Sequence, residues 1–261
     1  MEHKTIQNIV IPALGLGTWQ MHGPECQNAV EAALELGYRH IDTAQMYRNE
    51  QDIGQAIRQA NVPRDEIFLT TKLLSSNLRH DDVLSSFSAS RERLQMEYVD
   101  LLLIHSPNPS VPISETIDAM NQLQNAGKVK YIGVSNFSVK QMQEAIEVSE
   151  TPIFTNQVEY NPYNNQQKIL EFCQKQDVAL TAYTPLARNR IAKDKTVQNL
   201  GSKYGKTPAQ ITLRWLIQQD HVITIPKSSH QEHLKENLDI FDFELTDDEM
   251  RSMSKLKQGL F

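Results

Sequence analysis

The chain has 261 residues, 39% of them hydrophobic and 22% charged, enough to bury a large core as one α/β barrel or as two smaller domains. Its formal net charge of -6 argues against a nucleic-acid partner, which would call for a basic face, and is too mild to mark an acidic interaction tail. The opening MEHKTIQNIVIP has no basic segment ahead of a long apolar run, and no stretch reaches the length of a membrane span, so neither a signal peptide nor a membrane partner is expected.

In chain order, residues 4–12 (KTIQNIVIP) read as two short strands about a polar centre at Gln7 and Asn8, a hairpin. Strand-like runs follow at 14–19 (LGLGTW), 38–43 (YRHIDT), 67–72 (IFLTTK), 99–105 (VDLLLIH), 129–135 (VKYIGVS), 154–160 (FTNQVEY), 179–185 (ALTAYTP) and 222–227 (VITIPK). Between them lie segments with apolar residues at i, i+3, i+4 and i+7, among them ECQNAVEAALELG, EQDIGQAIRQA, VLSSFSASRERLQ, SETIDAMNQLQNAG, KQMQEAIEVS and QKILEFCQKQ. Gly37, Asn61 and Gly127 are placed to stop three of these helices as left-handed caps. A two-helix insertion is expected at 196–204 and 208–219, and TDDEMRSMSKL from Thr246 opens with a capping signal and an acidic first turn. Cys26 and Cys173 fall inside helical patterns with no CxxC spacing and no nearby His, so both are expected as packing thiols in a reducing cytoplasm.

Eight strand–helix alternations over one chain without a composition shift predict a (β/α)8 TIM barrel of α/β class, one domain over 1–261, with the hairpin capping the barrel bottom and helices at the C-terminus. A doubly wound sheet is the competing architecture. The run from Gly15 to Gln20 lacks the third glycine of the dinucleotide-binding fingerprint, which weighs against it.

Four ionisable side chains recur at the carboxyl ends of successive strand-like runs: Asp42 and Tyr47 in HIDTAQMY, Lys72 in IFLTTKL and His105 in VDLLLIH. In a parallel barrel they converge on one pocket. An ammonium beside a phenol is expected to lower its pKa and make it a better proton donor, with Asp42 holding the ammonium and His105 orienting a carbonyl oxygen. Taken singly, each has an ordinary structural reading: a satisfied histidine, an incidental ion pair, a packing aromatic. A Schiff-base lyase with Lys72 as nucleophile also fits the spacing.

The stretches GLGTWQ, GYRHIDTAQMYRNEQDIGQAI, TTKL, YVDLLLIH, GKVKYIGVSNF, NQVEYNPY, AYTPLA and IPKSS, in this order from about residue 6 to 256, resemble the aldo-keto reductase family. These are NAD(P)H-dependent carbonyl reductases on a (β/α)8 barrel, and the short loops are most like bacterial 2,5-diketo-D-gluconate and methylglyoxal reductases. The resemblance implies a catalytic tetrad of Asp42, Tyr47, Lys72 and His105, with Tyr47 the general acid in reduction. It implies that Ser135, Asn136 and Gln157 hold the nicotinamide carboxamide and that Tyr183 stacks on the ring. Pro185, Leu186 and Ala187 would follow the pyrophosphate, while Lys227, Ser228 and Ser229 would meet the 2′-phosphate of NADPH. Glu236 and Asn237 would reach the adenine, and Gly17, Thr18, Trp19 and Ile225 would complete the cofactor-facing set.

Two departures modify these expectations. His233 occupies a position where relatives usually carry an Arg that clamps the 2′-phosphate, so NADPH is expected to be preferred with NADH possible. His230 and His233, at i and i+3 on a helix, could suggest a metal; without a third ligand the cofactor edge or solvent is the expected place for both. After His105, many relatives have Trp where this chain has Ser106, leaving a smaller, more polar wall beside Trp19, Tyr47 and His105. Arg48, directly after Tyr47, is read as a solvated loop residue and alternatively as a contact for an anionic carbonyl compound. The segments 108–112 and 188–195 are expected to border the pocket. The expected function is reduction of aldehydes or ketones, small polar dicarbonyls or keto sugars, by a monomer without metal. The alternative is an NADPH-binding barrel that senses redox state or binds a partner with little turnover.

Overall fold

The computed structural model describes residues 1–257; the terminal residues 258–261 lie outside it. Strands β1 (His3–Ile6) and β2 (Ile9–Pro12) form an antiparallel hairpin. Gln7 and Asn8 at its turn have φ of 53° and 62°, as a tight two-residue hairpin turn requires. Eight strands then form one parallel sheet in chain order: β3 (Leu16–Gly17), β4 (His40–Asp42), β5 (Phe68–Leu73), β6 (Val99–Ile104), β7 (Val129–Ser135), β8 (Ile153–Glu159), β9 (Ala179–Tyr183) and β10 (Val222–Thr224). The sheet closes where the β3 segment meets β10. Gly15 N donates to Thr224 O at 2.8 Å, Gly17 N to Pro226 O at 3.0 Å, and Thr224 N to Ala13 O at 3.0 Å. The fold is a (β/α)8 barrel.

Helices α1 (Gly23–Glu35), α2 (Glu50–Gln59), α3 (His80–Leu94), α4 (Ile113–Asn125), α5 (Val139–Val148) and α6 (Gln167–Lys175) follow the first six barrel strands. The inserted pair α7 (Lys195–Tyr204) and α8 (Pro208–Gln218) precedes β10, and α9 (Gln231–Leu238) and α10 (Asp247–Ser254) follow it. Every residue of β5 and β6 is buried, because helices cover one face of a barrel strand and the opposite wall covers the other. The apolar layer at the barrel bottom joins Ile6 and Ile11 of the hairpin to Phe68, Leu101, Leu103, Phe154 and Ile223, so the hairpin does plug this end. Among the described residues no helix is long and apolar enough to cross a membrane.

Gly37 and Gly127 stop α1 and α4 with φ of 98° and 67°, as expected. Asn61 does not act as a cap: α2 ends at Gln59, and Ala60 is already extended (φ −66°, ψ 140°). The chain must straighten there on its way to Pro63, whose ring disfavours helix at the preceding residue. His230 also departs from expectation. It sits ahead of α9 in extended conformation, and only His233 lies on the helix. Thr246 and Glu249 form the expected capping box of α10, and Cys26 and Cys173 are both fully buried, with burial pushing each thiol up to about 12.

Gly54 marks the tightest helix contact. A Cβ there would lie 2.0 Å from the backbone carbonyl oxygen of Leu94. That oxygen belongs to the end of α3 and cannot rotate away. Gly54→Ala is therefore expected to force α2 off α3 and lower unfolding stability by about 3 kcal/mol, measurable by urea denaturation. A change below about 0.5 kcal/mol, the range of a neutral surface substitution, would contradict this contact.

Candidate active site

The barrel pairings bring the four sequence-predicted residues together at the carboxyl end of the sheet. Asp42 ends β4, Lys72 is next to last in β5 and His105 follows β6. Tyr47 stands on a single 3-10 turn, Gln45–Tyr47, closed by Arg48 in the left-handed region. Period-two alternation points His40 and Asp42 into the barrel from β4, and Phe68, Thr70 and Lys72 from β5. Lys72 is fully buried. Its Nζ donates to Asp42 Oδ1 at 2.5 Å, to the Thr43 carbonyl at 2.9 Å and to Tyr47 Oη at 3.3 Å. The other Asp42 oxygen accepts from Gln157 Nε2 at 2.7 Å. The rings of Tyr47 and His105 meet edge to face with centroids 5.7 Å apart.

Burial opposes the charge on Lys72, but the Asp42 carboxylate and the Tyr47 hydroxyl outweigh it and hold the ammonium above its ordinary value. Lys72 is thus a charged, triply hydrogen-bonded donor with no free lone pair. Tyr47 corrects one expectation: its phenol lies above the ordinary tyrosine value, because burial outweighs the pull of Lys72. The resting phenol is protonated at neutral pH, and the Lys72 ammonium beside it is the neighbour that favours its phenolate form. Burial, with Lys72 adding, lowers His105 to about 4, so the imidazole is neutral at working pH. Its Nδ1 is buried and has no hydrogen-bond partner among the described residues.

His40, one layer deeper, is 1% exposed, touches Thr70 Oγ1 through Nε2 at 3.3 Å and stacks edge-on against Phe68. Burial, followed by the Lys72 charge, lowers it to about 3. Between the ordinary histidine value and pH 3 the unfolded chain binds a proton there that the folded chain does not. The stability contribution is complete above about pH 6.5 and falls by about 1.4 kcal/mol per pH unit below it. Chemical denaturation of wild type and His40→Gln from pH 7 to pH 4 should show a shallower decline in the variant. Parallel declines would contradict this account.

The positions expected to face a cofactor lie at or beyond the carboxyl ends of the barrel strands. Ser135 Oγ donates to the Gln157 carbonyl at 2.8 Å. Asn136, at φ 62°, donates through Nδ2 to the His105 carbonyl at 3.0 Å and accepts from Tyr183 Oη at 2.9 Å. Its amide braces the His105 segment against Tyr183, a role the sequence did not reveal. Gln157 is likewise turned toward Asp42. Among the described residues its Oε1 accepts no protein hydrogen bond. Thr18 corrects the expectation of a cofactor-facing residue: it is fully buried, its hydroxyl and backbone N–H both donate to the Asp42 carbonyl, and its own carbonyl accepts from Asn49 Nδ2 at 2.9 Å. A Cβ at Gly17 would come 2.6 Å from the Ile225 carbonyl oxygen, so this glycine serves barrel closure beside Ile225.

Beyond β9 the backbone is strained without any glycine. Thr184, Ala187, Arg188 and Asn189 have φ of 50°, 47°, 55° and 65°. Such outliers cost on the order of 1–3 kcal/mol each and gather at ligand clamps; here they surround Pro185 and Leu186. Lys227, Ser229, His230 and His233 are at least partly exposed around the start of α9, and Ser228 Oγ accepts from His230 N at 3.1 Å. Glu236 is half-buried and Asn237 is buried beside Tyr38. The rings of His230 and His233 lie 5.5 Å apart. No group of three metal-ligating side chains occurs among the described residues. Trp19, two residues after β3, and Met46, next to Tyr47, are 47% and 50% exposed. Ser106 Oγ donates to the His105 carbonyl at 2.7 Å and accepts from Asn136 Nδ2 at 3.3 Å, which leaves one lone pair for a ligand. Arg48 is exposed.

The model of the aldo/keto reductase family matches residues 13–258. The chain belongs to the aldo/keto reductase family. It is 40% identical over 259 residues to the 9,11-endoperoxide prostaglandin H2 reductase of Trypanosoma cruzi, covering 97% of this chain and 91% of that protein. It is 39% identical over 254 residues to the methylglyoxal reductase DkgA of Escherichia coli, covering 96% and 91%. A solved aldo-keto reductase complexed with NADPH superposes with a TM-score of 0.92 at 32% identity, covering 98% of this chain and 88% of that one. The barrel is therefore that of a carbonyl-reducing oxidoreductase family whose members use a nicotinamide cofactor.

Proposed function

We propose that this aldo-keto reductase reduces small polar aldehydes and ketones with NADPH, using Tyr47 as general acid. The observation that carries the reading is the buried chain from Gln157 through Asp42 and Lys72 to Tyr47 Oη, set against a neutral His105. The rim suits the cofactor in the chemistry of its donors. Gln157 Oε1 can accept from a carboxamide, Tyr183 offers a ring face braced by Asn136, and the strained Thr184–Asn189 backbone has the character of a clamp. Lys227 supplies a cation for a phosphate, with His233 a weaker neighbour than Arg would be. A bound nicotinamide supplies the hydride. The protein's part is to receive the carbonyl oxygen between His105 and Tyr47, hold it by hydrogen bonds, and deliver the Tyr47 proton as negative charge builds. Lys72 then stabilises the phenolate. In this reading no metal is required.

The substrate class follows from Ser106 and from likeness. A serine beside His105 leaves an open wall, and the methylglyoxal reductase among the relatives acts on a small dicarbonyl by name. The Trypanosoma relative is named for a much larger compound, so the rim, with Trp19 and Met46, is where these substrates would be sorted. Because Lys72 is buried, charged and paired, it does not serve as a Schiff-base nucleophile. Oxidation of NADPH and of NADH, followed by absorbance against methylglyoxal, keto sugars and long aliphatic ketones, tests the reading. Cofactor-dependent turnover with NADPH favoured over NADH and polar dicarbonyls over aliphatic ketones is expected. Cofactor binding without turnover of any carbonyl would contradict it.

A further inference from the structure

Tyr47 stands on the short 3-10 turn Gln45–Tyr47 and not on a barrel strand, so the placement of its hydroxyl 3.3 Å from Lys72 depends on how that turn is held. Gln45 is 7% exposed and uses its whole side-chain amide. Oε1 accepts from Leu74 N at 2.9 Å and Asn77 Nδ2 at 3.4 Å, and Nε2 donates to the Ser86 carbonyl at 3.1 Å and to Ser90 Oγ at 3.0 Å. Leu74 lies two residues beyond Lys72. Ser90 also accepts from Arg93 Nη2 at 3.0 Å, and Arg93 pairs with Glu50 through two contacts of 2.8 and 2.6 Å. Glu50, three residues after Tyr47 and 1% exposed, accepts from Thr71 Oγ1 at 2.7 Å. Thr71 immediately precedes Lys72. The hydrogen bonds thus close a ring through residues on both sides of Lys72 and on both sides of Tyr47.

We infer that Gln45 is a positioning residue for the acid step, locking the Tyr47 turn to the strand end that carries Lys72 through Ser90, Arg93, Glu50 and Thr71; this rests on Tyr47 being the proton donor. Neither Gln45 nor Ser90 touches the proton-transfer chain, so their effect is confined to placement. Tenths of an ångström at a long 3.3 Å contact change how well Lys72 stabilises the phenolate, and misplacement of reacting groups is felt steeply in rate. Wild type, Gln45→Met, which keeps length and removes every hydrogen bond, and Ser90→Ala are compared for methylglyoxal reduction. The readouts are kcat, the solvent deuterium isotope effect on kcat, the NADPH dissociation constant and the melting temperature. In Gln45→Met, kcat is expected to fall about 10-fold with a larger isotope effect and NADPH affinity held within about 2-fold. Ser90→Ala should show the same signature at smaller amplitude and decides the matter if Gln45→Met does not fold. Wild-type kcat and isotope effect in either folded variant would overturn the inference. So would parallel loss of kcat, NADPH affinity and melting temperature, which marks a merely structural role. Wild type that binds NADPH but turns over no carbonyl overturns the proposed function, and this inference with it.

Discussion

Tyr47→Phe is expected to lower kcat for carbonyl reduction by about 10²–10⁴ while leaving the NADPH dissociation constant within about 2-fold. The substitution removes one oxygen and keeps the ring that packs edge-on against His105. It therefore deletes the proposed proton donor without opening a cavity. Lys72 keeps its bonds to Asp42 and to the Thr43 carbonyl, so the buried charge stays compensated and the fold should be little affected. Cofactor oxidation and fluorescence titration of NADPH separate the two effects. A variant with more than about one tenth of the wild-type rate would mean that another group delivers the proton.

Lys72→Met should cost both rate and stability. It leaves the 1% exposed Asp42 with only the neutral Gln157 donor in place of its cation. Removing one partner of a buried pair typically destabilises by about 3–5 kcal/mol, because the remaining charge is uncompensated. The Tyr47 phenol, already raised by burial, loses the one neighbour that draws it down; kcat should fall by at least about 10²-fold. Asp42→Asn combined with Lys72→Met is expected to recover much of the stability and none of the rate. Urea denaturation of the single and double variants beside their kcat values checks both halves. Equal stability of the single variant and wild type would contradict the buried ion pair.

The features legible in the sequence are those written in periodicity and at strand ends. All eight barrel strands lie within a residue or two of their apolar runs, except that β3 and β10 are shorter; there the barrel closes through isolated pairings at Leu14 and Lys227. Asp42, Lys72 and His105 could be read as converging because a parallel barrel sends the carboxyl end of every strand to one face. Other features depended on contacts between residues far apart in sequence. Gln157, 115 residues from Asp42, looked like a ligand for nicotinamide and is an Asp42 partner as well. Asn136 reaches Tyr183 across 47 residues. The direction of the Tyr47 shift could not be read from its neighbours alone, since it depends on how much burial outweighs Lys72. The left-handed residues Thr184, Ala187, Arg188 and Asn189 left no trace because none of them is glycine. Gln45 carries no signal of its own in the sequence, because its partners on α3 and at the end of β5 are far along the chain.

The most direct test of the account is to supply NADPH carrying deuterium at the nicotinamide carbon that delivers hydride, in the stereochemistry transferred, with methylglyoxal as acceptor, and to weigh the product. The account predicts an alcohol containing one deuterium, bonded to the former carbonyl carbon, formed by wild type and suppressed in Tyr47→Phe. NADPH bound but no labelled alcohol formed with any carbonyl of the panel would contradict it.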